Sequence, residues 1–149
     1  MAILDTARKP FIEDRDSSIF VGIDYPFSKS DKSEGWFKST ETTVDSVKNN
    51  IKLLLSTEKG ERLMQPNLGL GLRKRLFEQI TQETIADIKN DIQTAFSFWL
   101  PFVEIKQLEI VTQDNESNIN SNSIIIKLLF NITKAPNTLE SVQVEISGE

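Results

Sequence analysis

The side chains able to do chemistry in this chain are few. Two pairs of carboxylates, Glu58 with Glu61 and Glu78 with Glu83, are of the type a glycosidase uses, in which two carboxyl groups face each other across roughly 5–9.5 Å. A second candidate is Gly69-Leu70-Gly71-Leu72-Arg73-Lys74, glycines ahead of basic residues, because backbone amides at a helix N-terminus bind anions. Its spacing matches neither the P-loop nor the dinucleotide fingerprint, which needs a preceding strand and a third glycine. The chain has no histidine and no cysteine, so the commonest metal ligand and general base, thiolate metal sites, cysteine nucleophiles and disulfides are all absent. Nothing in the pattern sets the carboxylates across a cleft. The expectation is therefore a protein that is not an enzyme, with no catalytic residue, cofactor or metal, and with glycines that serve backbone geometry.

Charge points to the kind of partner. The net charge of −5 argues against gripping nucleic-acid phosphates. Yet Lys59, Arg62, Arg73, Lys74 and Arg75 face only Glu58 and Glu61 between residues 58 and 75, a local +3 on a remainder of −8. A basic island on an acidic protein is expected to be a docking face for another protein. With 26% charged residues and no apolar run near the roughly 18 residues of a membrane span, no membrane is expected either. Arg8 and Lys9 are followed by no apolar stretch of the secretory type, which predicts use in a cytoplasm.

The elements that must position these residues follow from periodicity. Residues 1–39 read as an extended arm, polar and interrupted by Pro10, Pro26 and Gly35, with one short strand expected over 19–23. Its aromatics Phe11, Phe20, Tyr25, Phe27, Trp36 and Phe37 predict that it orders against a neighbour. Residues 40–149 read as the domain. Thr40 is the expected N-cap of a helix, with Glu41 complementing its dipole and Val44, Val47, Ile51, Leu54 and Leu55 on one face. A second helix follows the Thr81 cap, has Glu83 in its first turn, carries Ile85, Ile88, Ile92, Ala95, Phe96 and Trp99, and stops at Pro101. Between them, Gly69 and Gly71 suit positive φ, and Leu72, Leu76 and Phe77 suit a short helix.

Strands follow. Val103 and Ile105 alternate in one register and Leu108 and Ile110 in another, which predicts a bulge near Lys106-Gln107. Ile124, Ile126, Leu128, Phe130 and Ile132 predict a central strand, and Val142, Val144 and Ile146 a final half-buried one, with an exposed turn over 113–122. The order predicts an α+β domain, two to three helices packed on one face of a small antiparallel sheet. An edge position for the last strand offers its backbone for strand addition by another chain.

Taken together, Leu53-Leu54-Leu55-Ser56-Thr57, Lys59-Gly60-Glu61-Arg62, Pro66, Gly69, Gly71-Leu72-Arg73 and Leu76-Phe77-Glu78 resemble the family of the phage gene 25 product. These are the baseplate-wedge and sheath-initiator proteins of contractile tails, with relatives in type VI secretion baseplates. The resemblance spans roughly residues 40–146, and Ile23-Asp24-Tyr25-Pro26-Phe27 looks like the N-terminal extension of phage versions. It implies a fold like the tail-sheath handshake domain and a place in the virion baseplate, assembled in the host cytoplasm. It also implies wedge proteins and the sheath protein as partners, with tail tube or hub proteins as further candidates. The Glu-Pro-Arg triplet by which members of the family grip the wedge core corresponds here to Leu100-Pro101-Phe102, so both charges are replaced by apolar groups. Wedge contacts are thus expected from Glu61, Arg62, Arg73, Leu100, Pro101 and Phe102, and strand pairing with the sheath from Val142, Val144 and Ile146. Gly60, Pro66, Gly69, Gly71, Leu72, Phe77 and Glu78 are expected to be architectural. A lysozyme-like peptidoglycan hydrolase and a regulatory binding protein on the same fold are the alternatives.

Overall fold

The structure, a computed structural model, describes residues 21–29, 36–78, 80–112, 123–133 and 135–148, with backbone alone at 135–138. The expected turn over 113–122 and most of the arm lie outside the described residues. In chain order the elements are β1 (Gly22–Ile23), β2 (Ser39–Thr40), α1 (Thr43–Ser56), α2 (Leu72–Arg75), α3 (Gln82–Trp99), β3 (Val103–Val111), β4 (Ser123–Ile132) and β5 (Ala135–Ser147).

Capping decides where α1 starts. The Thr42 hydroxyl accepts the Asp45 backbone N–H at 3.1 Å and donates to the Asp45 carboxylate at 2.6 Å, closing the first turn reciprocally. The cap is therefore Thr42 and not Thr40, and the dipole is complemented by Asp45 and not Glu41. Thr40 is taken by tertiary structure: it lies buried in β2, opposite Gly22 of β1. α3 begins as its spacing predicts, with the Thr81 hydroxyl accepting from Thr84 N–H at 3.2 Å and Glu83 in the first turn.

β3, β4 and β5 form an antiparallel sheet in that order, so β4 is central. Leu128 stands between Leu108 and Val142, and Ile126 between Ile110 and Val144. The register shift between Ile105 and Gln107 leaves Lys106 unmatched, and this bulge is what lets Ile105 and Leu108 both pack toward the core. α1 packs over β5 and α3 over β3, on one face of the sheet, and their stripes (Val47, Ile51, Leu54, Leu55; Ile88, Ile92, Phe96) close the core against Ile126, Leu128 and Phe130. β5 extends well N-terminal to the expected 142–146, because backbone pairing with β4 runs back to Leu139 and, after a register shift between Asn131 and Ile132, resumes at Ala135. Among the described residues no helix is long and apolar enough to cross a membrane.

The described part of the arm docks on its own α1. The buried Asn49 amide donates to the Asp24 carboxylate at 3.1 Å, Lys38 pairs with it at 3.3 Å, and the Tyr25 hydroxyl meets Ser56 Oγ at 3.0 Å. Partial burial opposes the charged form of Asp24, but Asn49, Lys38 and the Tyr25 N–H together hold its carboxyl below the usual 3.8. A lowered value means the contribution to stability is present above pH 3.8 and is lost as pH falls through the lower, folded-state value. Asp24→Asn is expected to lower stability at neutral pH by under about 1 kcal/mol, as for other surface-level pairs. Denaturation curves of variant and parent should converge in acid.

Candidate functional site

The segment carrying the family-like motif is built around the end of α1. Thr57 closes that helix, its hydroxyl donating to Leu53 C=O at 2.6 Å, and its own carbonyl accepts the Leu70 N–H at 3.1 Å. This brings the returning chain so close that a Cβ on Gly69 (φ +105°) would lie 2.3 Å from Thr57 O. The Gly60 N–H donates to Pro66 C=O at 2.8 Å, pinching residues 60–66 into a closed loop with a turn from Arg62 to Gln65. At its tip stand Leu63 and Met64, 97% and 91% exposed.

The carboxylates considered for acid–base work serve this loop instead. Glu61 accepts the Glu58 N–H at 3.0 Å, and Glu58 accepts the Arg73 N–H at 3.0 Å, capping α2 where the N-cap residue, Gly71, has no side chain. Glu61 is thus engaged with the backbone and forms no pair with Arg62. Leu72 and Leu76, four residues apart, share the buried face of the short helix; Phe77, expected to line that helix with them, is turned away and 71% exposed. Glu78 is exposed, and Glu83 lies in the first turn of α3. Arg75 binds Asp91 of α3 at 2.6 Å, which fixes the segment to the second helix. Lys59, Arg62, Arg73 and Lys74 are exposed and form no ion pair among the described residues.

A groove of about 260 Å³ runs between this segment and α3, with Leu70 and Ala95 in its lining, Phe98 and Trp99 on the helix side and Lys59 at its edge. Phe98 is 74% exposed and its ring meets Trp99 edge-on at 4.9 Å. Leu63, Met64 and Phe98 went unnoticed in the sequence. Leu63 and Met64 sit in a stretch with no periodicity, and the one available signal for Phe98 was its position off the apolar stripe of α3.

The Leu100-Pro101-Phe102 corner divides. Leu100 is a core residue, 7% exposed, because its N–H bonds back to Phe96 C=O and its carbonyl accepts from Val103 N–H, folding the side chain inward. A contact through Leu100 is thereby removed, while Pro101 and Phe102 (38%) are accessible. Phe102 C=O accepts from Thr133 N–H, tying this corner to the β4–β5 turn. Val142 and Ile146 are buried beneath the helices and Val144 partly so, and β5 is an edge strand. What that strand offers outward is backbone, not these side chains.

The opposite edge is blunted: β3 carries the bulge at Lys106, whose ammonium binds Glu104 at 2.7 Å and, by that bond and its charge, holds the Glu104 carboxyl below its ordinary value. β5 pairs without interruption from Leu139 to Ser147 on its inner side.

Known proteins resemble this chain in sequence and in fold. The family model of baseplate wedge protein gp25 matches residues 41–137. Baseplate wedge protein gp25 of Enterobacteria phage T4 is 22% identical over 115 residues, covering 76% of this chain and 83% of its own. In fold the chain is similar to a candidate tail lysozyme from Geobacter sulfurreducens (TM-score 0.60, 21% identity, 72% of this chain and 93% of that one). It is also similar to a chain of the anti-feeding prophage baseplate (TM-score 0.54, 22% identity, 85% and 84%). With the loop, the capped helices and the meander in place, and the family model spanning most of them, this chain belongs to the family of baseplate wedge protein gp25.

Proposed function

We propose that this chain is a non-catalytic subunit of a contractile-tail baseplate, which docks on wedge proteins through the 60–78 face and starts sheath assembly by lending the outer edge of β5 to a strand of the sheath protein. The observation that carries the sheath role is the asymmetry of the sheet: β3 is broken in mid-strand by a bulge and a local ion pair, whereas β5 pairs without a shift from Leu139 to Ser147 and is backed by α1 through the Lys48–Glu140 bridge at 2.9 Å. Strand addition needs backbone groups held rigidly and no reaction. In a helical sheath each subunit joins the next by a heterologous contact, and an initiator supplies the first half of such a contact. Arg62 and Arg73 are the exposed cations expected to meet wedge proteins, with Pro101 and Phe102 as further accessible contacts; Glu61 shapes the loop. Tail tube or hub proteins are further neighbours in such a particle, assembled in the host cytoplasm.

The purified chain is expected to seed ordered polymers of its sheath subunit, seen by electron microscopy. Successive residues of an antiparallel strand direct their N–H groups to opposite sides, so one of Gln143→Pro and Val144→Pro removes an outward amide and the other an inward one. The outward variant should fold yet seed at least about tenfold more slowly, since it interrupts the added strand. Unchanged seeding by the folded variant would overturn the sheath role.

The likeness to a candidate tail lysozyme makes peptidoglycan hydrolysis the second reading. Against it, Glu61 and one oxygen of Glu58 accept backbone amides of the same segment, while the other Glu58 oxygen, among the described residues, is buried without a hydrogen-bond partner and faces no second carboxylate across a cleft. Cell-wall clearing by the purified chain that disappears in Glu61→Gln would establish it in place of the structural role.

A further inference from the structure

The groove beside Phe98 has no role in strand pairing; its charged lining residues are Lys59, which has no carboxylate partner among the described residues, and Asp91, whose carboxylate is bound by Arg75. Four exposed apolar side chains, Leu63, Met64, Phe77 and Phe98, lie on the 60–78 segment and the adjoining helix, interspersed with cations that have no carboxylate partner among the described residues. Glu58 and Glu61 accept the Arg73 and Glu58 amides and form no ion pair with these cations, so residues 58–75 keep a net +3. At about 260 Å³ and open to solvent, the groove falls below the roughly 300–1,000 Å³ of small-molecule sites and suits one or two side chains of a protein. Exposed aromatic and aliphatic anchors ringed by charge are the composition of a protein docking site, in which anchors supply affinity and the rim charges orient and speed encounter.

We infer that the groove between the 60–78 segment and α3 holds an acidic, amphipathic segment of a neighbouring baseplate protein, its apolar side chains against Phe98, Leu70 and Ala95 and its carboxylates on Lys59, Arg62 and Arg73. Charge complementarity selects this occupant: the island is +3 on a chain of −5, so an acidic partner is attracted to this face and repelled by the rest. The same net charge disfavours nucleic acid, whose phosphates would not use the apolar tip. The inference rests on the baseplate reading and deepens it by naming which surface meets the wedge and with what chemistry.

The test uses assembled particles carrying the full chain. Substituting the photo-crosslinker p-benzoylphenylalanine for Phe98 is expected to join it to another baseplate protein within a segment rich in Asp and Glu, whereas the same group at Ala86, exposed on α3 outside the groove lining, gives no such product. Lys59→Glu with Arg62→Glu, and separately Phe98→Ser, should each lower incorporation into particles at least about tenfold, while the isolated variants keep the parental melting midpoint because all three positions are exposed. Full incorporation of both variants, a crosslink to a second copy of this chain, or a nuclease-sensitive product overturns the inference while leaving the baseplate role standing. Failure of the unaltered chain to enter particles overturns the baseplate reading itself.

Discussion

Replacing Gly69 with alanine is expected to destabilise the protein by roughly 2–5 kcal/mol, through backbone strain of about 1–3 kcal/mol at a positive φ plus a steric term. The steric term comes from the Cβ lying 2.3 Å from Thr57 O, a backbone atom that cannot swing aside as a side chain would. Relief requires the returning chain to move off α1, which breaks the Leu70 N–H bond to Thr57 C=O and draws Leu70 out of the core. Gly60→Ala separates the two causes. Its φ is +88°, yet a Cβ there meets nothing within 4 Å, so about 1–2 kcal/mol of left-handed strain is the whole expected loss. Urea unfolding of both variants measures the difference. Equal losses would mean that the close approach at Thr57 is not what holds the segment.

Phe130→Ala should cost about 3–5 kcal/mol, the range for emptying a fully buried aromatic site. Phe130 is 0% exposed in the central strand, paired on one side with Ile105 beside the bulge and on the other with Glu140. Against a total stability of about 5–15 kcal/mol for a domain, this loss is enough to populate unfolded protein at moderate temperature. Leu129→Ala, one residue along and on the outer face of the sheet, should lose markedly less because its side chain is only half-buried. Paired denaturation curves with unchanged slopes would place both effects in the folded state. A comparable loss at Leu129 would show that the outer face is also covered.

These two sites differ in how far they could be read beforehand. The interior role of Phe130 follows from alternation over ten residues, because only one face of a strand can meet the helices. The need for glycine at 69 was readable only as tolerance of positive φ. The stronger reason, a carbonyl of α1 where the side chain would be, belongs to a contact twelve residues away in sequence.

Corrections cluster where local rules allow two answers. Thr40 and Thr42 are equally good caps by residue type; pairing of Thr40 with Gly22 settled the choice. Leu100 beside a proline has the pattern of a surface corner, but the hydrogen bonds that end α3 turn it inward. Phe77 is as apolar as Leu76, yet a helix of one turn has a single buried face and Leu72 with Leu76 fills it.

By itself the sequence determined the α+β class, the two long helices, the Thr81 cap, the bulge at Lys106, the central strand and the family to which the chain belongs. Each depends on a period, a cap or a spacing expressed within a few tens of residues. Only the tertiary structure decided which carboxylates accept backbone amides, that Leu63, Met64 and Phe98 are left exposed with Phe98 lining a groove, and that β5 pairs without a shift from Leu139 to Ser147 while β3 is broken in mid-strand. Those outcomes depend on which distant segments meet, and burial of apolar surface across the whole domain selects among them where local preference is neutral.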